Sequence, residues 1–343
     1  MSCILLMKRV CFVYLVLPLF VSLSITFPAY GKAPLKDEVS VTKAFDASKV
    51  MLGSVKTAVF DLNSGEILFS KHADWVTPIA SITKVMTALV LLDSEQPLNA
   101  WLEIPKPDLE TRKNAYSRMR IGSKLKRSDL LKLALMSSEN LAAYTLAHHH
   151  PGGVVTFVAE MNNKAKQLNM VDSTFVDPSG LSKLNVSTAS DLVKLLSAAS
   201  KHTEIKQYST ESRYTARFKN PRYSLAYGNT NRLVRRDDWD ITLSKTGYIT
   251  ESGRCLVLMS KLDGKDIGMI FLDAFGKITP LGDAARVKRL ITTGKTGYIA
   301  GAALRYAQDK PRSIRTSEYA KSIARQYFIF DLLTGSTRSI YIN

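Results

Sequence analysis

Apolar and polar positions change rhythm several times along the chain, and each change marks an element. Residues 10 to about 25 are almost continuously apolar, with Lys8 and Arg9 ahead of them and small residues at Ala29 and Gly31 behind. That order predicts a secretory signal peptide over 1–31, cleaved after Gly31 to leave a periplasmic protein. The run falls short of the roughly 20 residues of a spanning helix, and Pro18 interrupts it; an uncleaved inner-membrane anchor is the alternative. Residues 32–53 are polar and aperiodic, as expected of a linker or N-terminal arm.

From residue 54 the pattern becomes that of a folded domain, expected to reach residue 295. VKTAVF (55–60) and EILFS (66–70) are β-runs about a Gly65-containing turn, a hairpin signal. IASITKVMTALVLLD (79–93) has the length and apolar density of a buried helix. Helical patterns follow at 128–149, with a break at Ser137-Ser138, and at 154–169; a turn cluster, Asp177-Pro178-Ser179-Gly180, precedes another from Ser187 to about Ser200. Strand patterns return at 241–249, 254–262 and 266–275, and a basic helix spans 282 to about 292. Strands at both ends of the domain with helices between predict an α+β fold: an antiparallel sheet flanked by helices, its sequence interrupted by an all-helical lobe, with a cleft between the two.

Charge and cysteine content narrow the class. The formal charge is +17, and losing Lys8 and Arg9 with the leader lowers it by two, to +15. An exported basic protein attracts cell-wall polymers and phospholipid head groups, and the scattered basic residues do not suggest a nucleic-acid partner. Cys3 and Cys11 lie in the leader, so the mature chain holds Cys255 alone, which excludes an intramolecular disulfide and a cysteine-built metal site.

Candidate chemistry rests on serine and lysine. Ser-x-x-Lys occurs three times, at Ser40–Lys43, Ser81–Lys84 and Ser123–Lys126. Ser40 leaves no room for a preceding β-run, and Ser123 sits in the polar stretch RMRIGSKLKRSD, with no apolar face to bury a lysine. Ser81 opens a buried helix, and at i and i+3 its hydroxyl and the Lys84 amine share one face. An exposed lysine is a protonated non-base at neutral pH, whereas burial disfavours the charged form and makes Lys84 a base for Ser81. The helix N-terminus beneath Ser81 favours developing negative charge. Ser138-Glu139-Asn140 is the one Ser-x-Asn of the chain and sits at the helical break. Lys245-Thr246-Gly247 lies in a β-run, and its glycine would let a substrate approach the backbone.

Those three motifs in this order are the signature of penicillin-binding proteins and class A β-lactamases. VFDLNSGEILFSKHADWVTPIASITKVMTALVLLD, LALMSSENLAAYTLAHHHPGG, FVDPSGLS, DWDITLSKTGYITESGRCLV and LDAFGK resemble the D-alanyl-D-alanine endopeptidases of the penicillin-binding protein 7 type, low-molecular-mass members of the serine DD-peptidase family. The resemblance covers roughly residues 50–295 and implies a β-lactamase/transpeptidase-like fold. It implies Ser81 as the acyl-forming nucleophile, Lys84 as its base, and Ser138 as the proton relay to the leaving amine. Asn140 would hold the substrate amide and Lys84. Lys245, Thr246 and Gly247 would receive the carboxylate end of the substrate, with Lys245 helping to depress the pKa of Lys84. Backbone N–H groups of Ser81 and Tyr248 would form the oxyanion hole. The implied partners are peptidoglycan cross-links and, as covalent inhibitors, β-lactams; no cofactor or metal is implied. A D-alanyl-D-alanine carboxypeptidase uses the same residues and is the alternative. A β-lactamase is third, since no Glu-x-x-Leu-Asn string lies between Ser138 and Lys245; a catalytically silent wall-binding scaffold would not require all three motifs.

Other features have plainer readings. Lys295-Thr296-Gly297 follows a helical run and is expected to be a helix-ending turn; Arg289 stands where a phosphate loop needs glycine. His148, His149 and His150 are consecutive, so their rings point apart, as cations near a helix C-terminus rather than zinc ligands. Cys255 reads as a buried apolar residue. Residues 296–343 form an extension of unknown structure. Its SEYAKSIARQYFIFDLL has the composition of a short basic amphipathic helix that would allow peripheral membrane contact, the alternative being a packed-down or unstructured tail.

Overall fold

The computed structural model describes residues 46–107 and 117–309. The predicted leader, Ser40 and SEYAKSIARQYFIFDLL lie outside the described residues.

Five strands form one antiparallel sheet: β1 (Ser54–Asp61), β2 (Ile67–Lys71), β9 (Asp240–Ile249), β10 (Gly253–Leu262) and β11 (Lys265–Ala274), in the order β2-β1-β11-β10-β9. The first and last strands of the sheet therefore pair with each other, β1 with β11 from Ser54↔Ala274 to Asp61↔Ile267. Every residue of β1 is buried because helices cover both faces of the sheet. In β10 and β11 the side chains alternate between two cores. Cys255, Val257, Met259, Ile270 and Leu272 join the larger one, and Leu256, Leu258, Ile267, Met269 and Phe271 the smaller. The turn joining these strands, Asp263-Gly264, has both φ angles positive (51° and 75°), as a tight hairpin requires.

Between β2 and β9 lies the lobe. It begins at β3 (Thr77–Pro78), and α1 (Thr83–Asp93) runs through its centre, buried from Thr83 to Leu91. Around it pack α2 (Arg127–Met136), α3 (Asn140–His148), α4 (Gly153–Gln167), α5 (Ala189–Ala199) and α6 (Thr203–Thr210). The lobe also carries small two-stranded pieces: β3 with β6 (Val186–Ser187), β4 (Trp101–Glu103) with β5 (Lys124–Lys126), and β7 (Arg213–Phe218) with β8 (Tyr223–Gly228). On the far face of the sheet, α7 (Thr279–Thr293) covers β10 and β11, and α8 (Gly301–Asp309) packs on β1. α7 stops at Gly294, whose φ of 68° is a left-handed cap, so Lys295-Thr296-Gly297 follows a helix end.

Several elements have no counterpart in the hydropathy reading: α6, α8, the short strands β3 to β6 and the β7–β8 ribbon, so the lobe expected to be all-helical carries three small β-pieces. The ribbon's inward positions include Tyr214, Ala216, Tyr223 and Tyr227. Tyrosine and alanine blur the apolar alternation that marks a strand.

Candidate active site

The turn that carries Ser81 is not the start of the α-helix. Ala80–Ile82 is a 3-10 turn and α1 begins at Thr83. In a 3-10 turn residues i and i+3 eclipse one another, so Ser81 still stands over Lys84. Ala80 adopts a φ of 46°, unusual for a residue with a Cβ. The loop Asp177-Pro178-Ser179-Gly180 props this turn from behind. At Gly180 (φ 80°) a Cβ would fall 2.0 Å from the Ala80 carbonyl oxygen, so only glycine permits the approach. One carboxylate shapes the loop: Asp177 accepts from the N–H groups of Ser179, Gly180 and Ser182 and from the Ser179 hydroxyl.

Lys84 is fully buried. Its Nζ lies 2.9 Å from Ser81 Oγ, 2.7 Å from Asn140 Oδ1 and 2.6 Å from the Ser179 carbonyl oxygen. Burial lowers its pKa to about 7, against the opposing fields of Asp177 and Glu139. The amine is thus poised between its two protonation states at neutral pH.

Asn140 opens α3, just after the kink where Ser138 takes a φ of 60°. Glu139 caps the helix by accepting from Leu141 N–H at 3.4 Å, and burial raises its pKa. No hydrogen bond joins the Ser138 hydroxyl to Ser81 or Lys84 in this arrangement.

β9 is an edge strand, and it passes the Ser81 turn at Gly247. A Cβ there would lie 3.0 Å from the Ile79 carbonyl oxygen and 3.1 Å from Ser81 N. Thr246 Oγ1 donates to Thr230 Oγ1 at 2.7 Å, and Thr230 N–H to the Met136 carbonyl at 2.9 Å, tying this strand to the end of α2. Lys245 is 1% exposed and donates to the Thr246 carbonyl. Burial, and then repulsion from Lys84, lower its pKa well below the usual lysine value. Burial thus accounts for the lowered pKa of Lys84, and the repulsion between the two amines falls on Lys245. Tyr248 is half exposed, with the Arg254 guanidinium 3.6 Å over its ring.

The fold therefore brings Ser81, Lys84 and Asn140 into direct contact and lays Gly247 against the Ser81 turn. Ser138, Lys245, Thr246 and Tyr248 lie on the elements that flank them. The Ser179 carbonyl and Asp177 are the contributors that motif reading missed; Asp-Pro-Ser-Gly announced a turn, but nothing local said what it would lean on.

The rival positions go elsewhere. Ser123 is buried, bonded to the Arg120 carbonyl and the Tyr223 hydroxyl, and Lys124 to Lys126 form a strand. His150 Nε2 lies 3.0 Å from Glu160 and its Nδ1 2.9 Å from Gln96, while His149 bonds the Glu103 carbonyl. Cys255 is buried, which raises its thiol pKa to about 11, the state of an inert side chain.

Residues 43–276 match the family model described as D-alanyl-D-alanine carboxypeptidase. The chain belongs to this family of serine peptidases. It is 44% identical over 289 residues to the D-alanyl-D-alanine endopeptidase of Escherichia coli, covering 84% of this chain and 92% of the relative. It is 42% identical over 294 residues to that of Pseudomonas aeruginosa, covering 86% and 93%. Among solved structures, a Streptomyces DD-transpeptidase superposes with a TM-score of 0.66 at 25% identity, covering 71% of this chain and 98% of that one. A Listeria monocytogenes penicillin-binding protein in its cefotaxime-bound form gives 0.62 at 30%, again covering 71% and 98%. These neighbours share the β-lactamase/transpeptidase-like arrangement of sheet and lobe that the motifs implied. Among the described residues of this member, no helix is long and apolar enough to cross a membrane.

Proposed function

We propose that this member of the family is an exported, periplasmic D-alanyl-D-alanine endopeptidase that hydrolyses peptidoglycan cross-links through an acyl-enzyme on Ser81. The observation that carries the reading is a fully buried lysine, its pKa lowered to about 7, within 2.9 Å of a serine hydroxyl. Neutral Lys84 donates its two N–H bonds to Asn140 Oδ1 and the Ser179 carbonyl, which leaves its lone pair for the Ser81 proton.

As Ser81 Oγ bonds to the D-alanyl carbonyl carbon, its proton passes to Lys84 and the carbonyl oxygen becomes an oxyanion. The N–H groups of Ser81 and Tyr248 receive that charge. Collapse breaks the C–N bond, and the leaving amine takes a proton by way of Ser138. Water then attacks the ester, giving a proton to Lys84, and release of the acyl group returns the proton to Ser81. Asn140 orients the substrate amide while holding Lys84. Lys245 and Thr246 bind the carboxylate beyond the scissile bond, and that anion opposes the lowering of the Lys245 pKa by burial. Every proton in this cycle is moved by a named side chain or by water. A β-lactam would acylate the same serine and leave slowly.

Purified protein should take up fluorescent penicillin, and Ser81→Ala should abolish the uptake while Ser123→Ala leaves it intact; an unlabelled wild-type protein would refute the acyl-serine mechanism. The family description also fits a carboxypeptidase, and a cross-linked muropeptide dimer separates the two. Release of monomers supports the endopeptidase; loss of only terminal D-alanine supports the carboxypeptidase.

A further inference from the structure

Four short strands of the lobe line up as a second sheet, and its outer face is almost wholly cationic. Lys124 of β5 and Lys219, just after β7, exchange both backbone hydrogen bonds, at 2.8 and 3.0 Å. That pairing sets β4–β5 beside β7–β8 in the order β4-β5-β7-β8. Side chains alternate along each strand. Leu102, Leu125, Ala216 and Phe218 are buried in the larger core. The positions between them face outward: Trp101, Lys124, Lys126, Arg213, Arg217 and Lys219. Lys219 Nζ lies 3.9 Å and Lys126 Nζ 5.8 Å from the centre of the Trp101 ring, so the face is continuous across the strands. Its carboxylate is Glu103, 3.9 Å from Lys124. Among the described residues no carboxylate is in ion-pair contact with Lys126, Arg213, Arg217 or Lys219, and Glu211, just ahead of β7, pairs instead with Lys132.

This arrangement works against the fold. Lys124 and Lys219 stand directly opposite each other, and the same register sets Lys126 opposite Arg217; like charges in cross-strand positions destabilise a sheet. Lysines often guard an exposed edge, but β5 and β7 are the two inner strands here. A repulsion kept without acidic neighbours is relieved when an anion binds. The shape of the face says which kind of anion. From Arg213 to Lys219 the cations extend along about 20 Å of one strand. Beside them on β8 the outward positions are Ser224, Ala226 and Gly228, paired with Arg217, Thr215 and Arg213. Long side chains on one strand and small ones on the next make a step, which receives a linear chain rather than a plane. None of the exposed large apolar side chains lies on these four strands, so the face has no wedge with which to enter a bilayer.

We propose that this face is a docking surface for the peptidoglycan network, which it holds by the free carboxylates of peptide stems away from the scissile bond. Its residues take no part in the hydrogen bonds around Ser81 and Lys84, so it retains the enzyme on the polymer without entering the reaction. The choice of polymer rests on the DD-peptidase reading; the demand for a linear polyanion rests on the face alone.

Co-sedimentation with purified, insoluble peptidoglycan sacculi tests it, in a Ser81→Ala background so that no cross-link is cut. Binding should weaken as salt rises from about 50 to about 300 mM, because the contacts are exposed charges. Lys126→Gln, Arg217→Gln and Lys219→Gln together should weaken binding about tenfold at the lower salt and flatten the salt dependence. The control removes three exposed lysines outside these strands, by Lys201→Gln, Lys261→Gln and Lys265→Gln, and should bind as the parent does. With Ser81 restored, the face variant should label with fluorescent penicillin and cleave a soluble muropeptide dimer at the wild-type rate, yet release material from sacculi more slowly. Parent binding that ignores salt overturns the proposal, as does an equal loss in the face variant and the control. So does a parent that sediments with phosphatidylglycerol vesicles through the same three residues but not with sacculi. If the wild-type protein neither labels nor cleaves the dimer while sacculus binding still depends on these residues, the DD-peptidase reading falls and the docking surface stands.

Discussion

The proposed mechanism rests on one amine whose protonation can be followed. As the proposed base Lys84 would work only when neutral, and burial lowers its pKa to about 7. Acylation of Ser81 by a β-lactam should therefore climb about tenfold per pH unit below that value and level off above it. Stopped-flow labelling across pH 5 to 9 would show the inflection, and a rate flat through neutrality would remove Lys84 as the base. The sign follows from the direction of the shift: a lysine left at its ordinary value near 10.5 would place the rise some three units higher. At this level the motifs were fully legible, because Ser-x-x-Lys, Ser-x-Asn and Lys-Thr-Gly name side chains. The Ser179 carbonyl was not, since any residue supplies a carbonyl and only the path of the loop decides where it points.

Elements act on the site mostly through backbone. The Asp177–Ser182 loop, the Ala80–Ile82 turn and β9 meet at Gly180 and Gly247, where a methyl group has no room. Gly180→Ala would impose a left-handed φ on a residue with a Cβ, costing about 1–2 kcal/mol, and would push the Ala80 carbonyl away from its seat. The expected outcome is a lowered urea midpoint together with slower penicillin labelling; a variant with full labelling rate and stability would show that the loop does not hold the nucleophile's turn. Long elements were readable from hydropathy, α1 by its continuous apolar density and α5 and β9 to β11 by their patterns. The β7–β8 ribbon was not, and the tyrosines responsible, Tyr223 and Tyr227, are the platforms on which Arg120 and Arg118 lie.

At the scale of the whole domain, buried charges lie where the first and last strands of the sheet pair. Lys56 on β1 bonds Asp273 on β11 at 2.7 Å with both side chains buried, and Tyr306 of α8 donates to the same carboxylate at 3.0 Å. Asp283 of α7 accepts from Gly53 N–H, Ser54 N–H and the Ser54 hydroxyl, pinning the start of β1. Removing one member of a buried pair strands the other, so Lys56→Met alone should cost about 3–5 kcal/mol in chemical denaturation. The double variant Lys56→Met with Asp273→Leu should recover much of that loss, and additive losses would contradict coupling between the two. This pair joins the start of β1 to the end of β11, outside the hydrogen bonds made around Ser81 and Lys84, so penicillin labelling per folded molecule should be unchanged.

Local rules were enough to recover the long elements and the order of strands and helices that implied an interrupted antiparallel sheet, and they favour Ser81 over Ser123 as the proposed nucleophile, because each of these is written in neighbouring residues. Contact across the chain decided the rest: Lys84 against the Ser179 carbonyl ninety-five positions away, Gly247 against the Ser81 turn, and Arg118 against Tyr227. The physical reason is that a pKa and a fixed side-chain position are properties of an environment. Serine and lysine are named in the sequence, but burial among several distant segments is what lowers the pKa of an ordinary lysine.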